Sequence, residues 1–60
     1  MRVWTSIELF RLTRAELFAL HRDIVQDLAA MPDGDPERRV ALDNLANIRR
    51  VLARPSLAPR

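Results

Sequence analysis

The chain has no cysteine, no lysine and no tyrosine, and only one glycine and one histidine among its 60 residues. Each absence closes a class of answer. Without cysteine there is no disulfide staple and no thiolate metal site. With His21 alone, a zinc site built from several histidines of one chain is excluded as well. A single glycine cannot make a glycine-rich phosphate loop. No apolar run is long enough to span a bilayer, and Met1-Arg2-Val3-Trp4 lacks the apolar stretch of a secretory leader. The expectation is a cytoplasmic chain without metal, cofactor or enzymatic activity.

What is present favours helix: the composition is rich in Leu, Ala and Arg. A chain of this length forms one small domain that hides only about 60% of the surface exposed by its unfolded form. Such scaffolds usually need a staple. With disulfides and metals excluded, association is the one that remains, so a homodimer or a larger protein partner is expected.

All ten basic residues are Arg. A GC-rich, bacterial coding genome gives that composition, and so does selection for bidentate anion contacts. The charge is uneven. From Met1 to Met31 four Arg balance four acids, whereas from Arg38 to Arg60 six Arg face Asp43 alone. Arg38, Arg39, Arg49, Arg50 and Arg54 are therefore candidate anion contacts. A solvated or ion-paired face accounts for the same residues, and no aromatic is interleaved to stack single-stranded bases.

Pro32-Asp33-Gly34-Asp35-Pro36 is the clearest punctuation. Pro32 stops one helix, and Asp35-Pro36 reads as the N-cap and first position of the next. Upstream, Thr13-Arg14-Ala15-Glu16 reads as a capping box with Leu12 and Leu17 as its hydrophobic staple. Thr5-Ser6-Ile7-Glu8 repeats that box eight residues earlier, with Trp4 and Leu9 as the staple. The reading is all-α: a short helix over about 6–11, long helices over about 14–31 and 36–53 (each about 27 Å at 1.5 Å per residue), and a disordered tail over 55–60. Residues 1–54 make one hairpin domain, expected to dimerise into a four-helix arrangement. Residues 3–11 can also be read as a strand, since Val3, Thr5, Ile7 and Leu9 alternate with Trp4, Ser6, Glu8 and Phe10.

Turned at about 100° per residue, the first long helix gathers Leu17, Leu20, His21, Ile24, Val25, Leu28 and Met31 on one side, with Phe18 at the edge. That stripe is wide enough to need packing on more than one side. The second long helix carries Ala41, Leu45, Ile48 and Leu52, with Leu42 beside them. The hairpin core is therefore expected to comprise Leu17, Ile24, Leu28, Met31, Ala41, Leu45, Ile48 and Leu52. A further seam of Val40, Asn44, Asn47 and Val51, with Trp4 and Phe10 as large apolar groups near the terminus, is expected to meet a second chain, its asparagines setting register.

His21 is the one ready general base near neutral pH. No Ser, Thr or Cys stands a turn away to serve as nucleophile, so a packed histidine is the expectation. Glu16, Asp23 and Asp27 form an acidic ridge without the inward Glu-x-x-His spacing of di-iron bundles. The functional expectation is a non-enzymatic protein–protein interaction module, a regulatory or adaptor protein. The alternative is a dimeric DNA-binding regulator or antitoxin. If 3–11 is a strand, the order strand, helix, helix resembles ribbon-helix-helix repressors in layout across most of the chain. That resemblance implies a two-chain ribbon in the DNA major groove, which Glu8 would oppose by repelling phosphate. Leu12-Thr13-Arg14-Ala15-Glu16-Leu17 is similar to the opening of LuxR-type output domains, but no helix-turn-helix follows and no function is carried over.

Overall fold

The computed structural model describes residues 1–54; the tail expected to be disordered lies outside them. Three helices follow in order: α1 (Ser6–Phe10), α2 (Arg14–Ala30) and α3 (Glu37–Leu52). Among the described residues there is no strand, so residues 6–10 take the helical alternative.

Both threonine boxes set helix starts. The Thr5 hydroxyl accepts from the Glu8 N–H at 3.2 Å, and the Glu8 carboxylate accepts from the Thr5 N–H at 3.1 Å. Thr13 and Glu16 repeat the exchange at 3.1 and 2.8 Å. Each box satisfies two N–H groups that a helix start leaves unpaired. At α3 the cap is shared differently. Pro36 holds the cap position without a side-chain bond, and Asp35 Oδ1 accepts from the Glu37 N–H at 2.9 Å. The turn before it closes through the Asp35 N–H on the Pro32 carbonyl at 3.2 Å, with Gly34 third at φ +87°. A positive φ at that position is the need of a type II turn, and glycine meets it without steric cost.

α2 and α3 form an antiparallel hairpin whose ends are tied reciprocally. Arg14, at the start of α2, donates to the Leu52 carbonyl at the end of α3 at 3.4 Å. Arg38, near the start of α3, donates at 3.4 Å to the Leu28 and Met31 carbonyls at the end of α2. The last carbonyls of a helix have no intrahelical partner, so each helix helps to cap the other. This also answers why cations stand in first turns, where the helix dipole disfavours them.

The core is Leu9, Leu17, Ile24, Ala41, Leu45 and Ile48, with Leu28, Met31 and Leu52 partly buried against it. Leu9 comes from α1 and has no exposed surface. Burial of a leucine contributes about 1.5–3 kcal/mol, so the short helix is held by its one inward residue rather than by its length.

Residues 1–5 run alongside α3 without regular structure, and here the sequence expectation for the second seam changes. Asn44 is fully buried. Its Oδ1 accepts from the Trp4 N–H at 2.8 Å and its Nδ2 donates to the Arg2 carbonyl at 2.8 Å. Asn47 Nδ2 donates to the Trp4 carbonyl at 3.1 Å. The two asparagines thus serve as a surrogate strand edge for three main-chain groups of Arg2 and Trp4. Trp4 is half-buried against the core, and Val40 and Val51 are half-buried along the same side of α3. The seam expected for a second chain is occupied by the N-terminal segment of this one. The physical reason is that three backbone polar groups of residues 2–4 need partners when laid on an apolar helix face, and asparagine offers donor and acceptor together.

Candidate functional site

With the N-terminal segment in place, the hairpin has one covered flank and one open flank. From the buried Ile24, a turn of about 100° per residue brings Glu16, Asp23 and Asp27 onto one side of α2. Met1 lies on that side, lining a shallow cleft with Asp27, Ala30, Met31 and Glu37. The same turn in the opposite sense brings His21, Val25, Phe18 and Arg22 onto the other side. On α3, Val40, Asn44, Asn47 and Val51 face the N-terminal segment, and Leu42 and Arg49 lie on the far side of the core. The Arg14 and Arg38 bonds cross between the helices on that far side.

The open flank is therefore a two-helix face. Phe18 and Val25 stand along α2, exposed to 54% and 43%, and Leu42 stands across from them on α3 at 48%. Half-buried His21 and Leu28 lie between the rows. Scattered exposed apolar residues need no explanation, but a clustered set on one face marks a site of interaction. Arg14, Arg22, Arg38 and Arg49 surround the cluster. Among the described residues the ion pairs are those of the Met1 ammonium with Glu37 and of Arg2 with Glu8; neither involves this group. The Arg14 guanidinium lies 5.5 Å from the Phe18 ring centre, within cation–π range.

The residues around the first helix are arranged otherwise. The Arg2 guanidinium covers the Trp4 ring at 4.3 Å while pairing with Glu8. The Thr5 backbone N–H and the Arg2 guanidinium together hold the Glu8 carboxyl below its ordinary range. Phe10, expected at a second-chain interface, is half-exposed beneath the Arg54 guanidinium at 4.5 Å. Val3 and Ile7 are exposed on the outer surface of the same segment.

Of the candidate anion contacts, Arg38 is engaged with main-chain carbonyls, Arg54 with Phe10, and Arg39, Arg49 and Arg50 project into solvent. Arg49 and Arg50 stand in the last turn of α3, where they also favour the helix dipole. Among the described residues no group of three or more acidic or histidine side chains is gathered to hold a metal, and no helix is long and apolar enough to cross a membrane. Helical periodicity put Val25 within the apolar stripe of α2, Phe18 at its edge and Leu42 beside the stripe of α3, without assigning them to a common face. The stripe's excess width was the signal.

Comparison with known proteins gives no matching family model, no matching curated protein and no matching solved structure.

Proposed function

We propose that this chain is a non-enzymatic protein–protein interaction module of the cytoplasm, a small regulatory or adaptor protein that docks a partner on the open flank of its hairpin. The observation that supports the reading is the grouping of Phe18, Val25 and Leu42 on one two-helix face, with half-buried residues as its floor. Two helices packed side by side leave a groove that a further helix fills at interaxial distances of about 8–10 Å. A helix of an unlike protein fills that groove; the four-helix homodimer expected from the sequence would instead bring a second set of arginines onto it.

Nucleic-acid binding through Arg14, Arg22, Arg38 and Arg49 is the second reading, favoured by the absence of any acid among those residues. A phosphate backbone offers nothing to the apolar centre of the face, and a ribbon-helix-helix arrangement would need a strand where α1 stands.

The test is a photo-crosslinking amino acid at positions 18, 25 and 42 in the chain expressed in its own host, with positions 15, 26 and 43 as outward controls. The reading expects a protein crosslink from the first set and not the second, and its loss from position 25 when Leu42→Asp is added. Equal crosslinking from both sets, or none from the open flank, would overturn it.

A further inference from the structure

The charges of the open flank carry the account of its partner further. Among the described residues every acid lies elsewhere. Glu16, Asp23 and Asp27 are on the covered side of α2, Asp43 is on the outer side of α3, Asp33, Asp35 and Glu37 are at the hairpin's loop end, and Glu8 is on α1. What surrounds Phe18, Val25 and Leu42 is basic: Arg14 and Arg22 from α2, Arg38 and Arg49 from α3. Arg14 and Arg38 spend hydrogen bonds on main-chain carbonyls, which leaves their charge uncompensated by any carboxylate.

This pattern is hostile to a second copy. In a two-fold pair the same patch faces itself. The four arginines of one chain would meet the four of the other around an apolar centre. Like-charge juxtaposition across an interface costs on the order of several kcal/mol. The acidic ridge cannot relieve it, because it lies on the opposite flank of α2.

Resting on the docking reading above, we infer that the open flank binds an amphipathic helix of a different protein whose apolar stripe is bordered by Asp and Glu. The apolar stripe fills the groove between Phe18, Val25 and Leu42, and the bordering carboxylates meet the four guanidinium groups. Arg is suited to that role because its planar fork takes a carboxylate in a bidentate manner. A flat anionic lipid surface would satisfy the charges but not the floor of half-buried side chains between two ridges. A nucleic acid would satisfy the charges and leave the apolar centre bare.

The experiment titrates the isotope-labelled whole chain with two designed 18-residue helical peptides. Both carry Leu at i, i+3, i+4, i+7 and i+11; one has Glu and the other Lys at the bordering positions. The expected result is saturable shifts at Phe18, Val25 and Leu42 with the Glu peptide alone. Its Kd should rise at least about 10-fold between low and high salt, as screening shortens the reach of the charges. The surface variant Arg22→Glu/Arg49→Glu keeps its dispersed spectrum and reverses the preference toward the Lys peptide. The inference falls, and the docking reading stands, if the wild-type chain pairs with itself through Phe18, Val25 and Leu42, or if the Lys peptide binds as well as the Glu peptide. It also falls if neither peptide binds, even where the crosslinks of the preceding section are obtained. Both fall if duplex DNA or anionic vesicles shift these three residues while neither peptide does.

Discussion

The two flanks of the hairpin solve the same problem in different ways. Each presents apolar residues of α2 and α3 that a bare helix pair would leave in water. On one flank the chain supplies its own cover: Leu9 fills the gap, Trp4 lies against the core, and Asn44 and Asn47 satisfy the main chain of residues 2–4. On the other flank Phe18, Val25 and Leu42 remain about half-exposed, and among the described residues the charged groups around them are arginines. The covered flank shows what closing such a face requires, namely a shaped apolar filler and a partner for every buried polar group. The open flank has the apolar seat and the charges but no filler among the described residues, and for that reason it is read as a docking surface.

The comparison breaks most completely if the hairpin itself fails. Ile24→Asp places a charge in the centre of the core, where Ile24 is 3% exposed. The account expects cooperative unfolding and loss of most helical circular dichroism, because an unpaired buried charge exceeds the stability of a domain this small. A dispersed native spectrum for this variant would contradict the packing.

Asn44→Ala attacks the covered flank alone. It removes an acceptor from the Trp4 N–H and a donor from the Arg2 carbonyl, at a cost of about 1–3 kcal/mol for each group left unsatisfied. Residues 2–4 should detach, Trp4 fluorescence should shift to the red, and the hairpin should keep much of its helicity. The covered flank would then resemble the open one, and Val40 and Val51 would become accessible. If Trp4 emission and its amide shift are unchanged, the asparagine clamp is not what holds the segment.

Much of this layout was legible in the residues. The two threonine boxes were read from Thr5/Glu8 and Thr13/Glu16 because a capping box is a local device with a fixed spacing, and its partners lie three residues apart. The hairpin turn was legible for the same reason. The role of Asn44 and Asn47 was not. Helical periodicity put them on a face, but periodicity cannot say which chain covers that face, and the partner groups are main-chain atoms of residues forty or more positions away. Leu9 was read as half of a local staple, and its full burial depends on how α1 leans on α3. The open flank was visible only as an excess of stripe width on the first long helix, since its third member, Leu42, belongs to another element.

Smaller changes sharpen the comparison. Thr13→Ala removes one cap at the start of α2 and should lower stability by about 1 kcal/mol, measured by urea denaturation, without touching either flank. Phe18→Asp and Val25→Asp should change stability by no more than about 0.5 kcal/mol, since both positions are half-exposed, while abolishing partner binding. A large loss of stability from either would mean that the open flank is part of the core.

The smallest effect concerns pH. The Glu8 carboxyl is held below its ordinary range by the Thr5 N–H and Arg2. Its contribution is therefore present above the unfolded carboxylate pKa and is lost as pH falls through the lowered folded value. Acidification should loosen α1 before α2, seen as earlier amide exchange in residues 6–10, and Glu8→Gln should remove that pH dependence.

The asymmetry of the flanks is tested most directly by an isotope-filtered NOE experiment on an equal mixture of labelled and unlabelled chain. The account predicts that contacts from the Asn44 and Asn47 side-chain amides to Arg2, Val3 and Trp4 appear in the uniformly labelled sample. It predicts that they vanish when only contacts between chains are selected, as do any from Phe18, Val25 and Leu42. Interchain contacts from the asparagines would show that a second copy covers the seam, and interchain contacts from Phe18 or Leu42 would show that the open flank is a self-pairing surface; either would contradict the account.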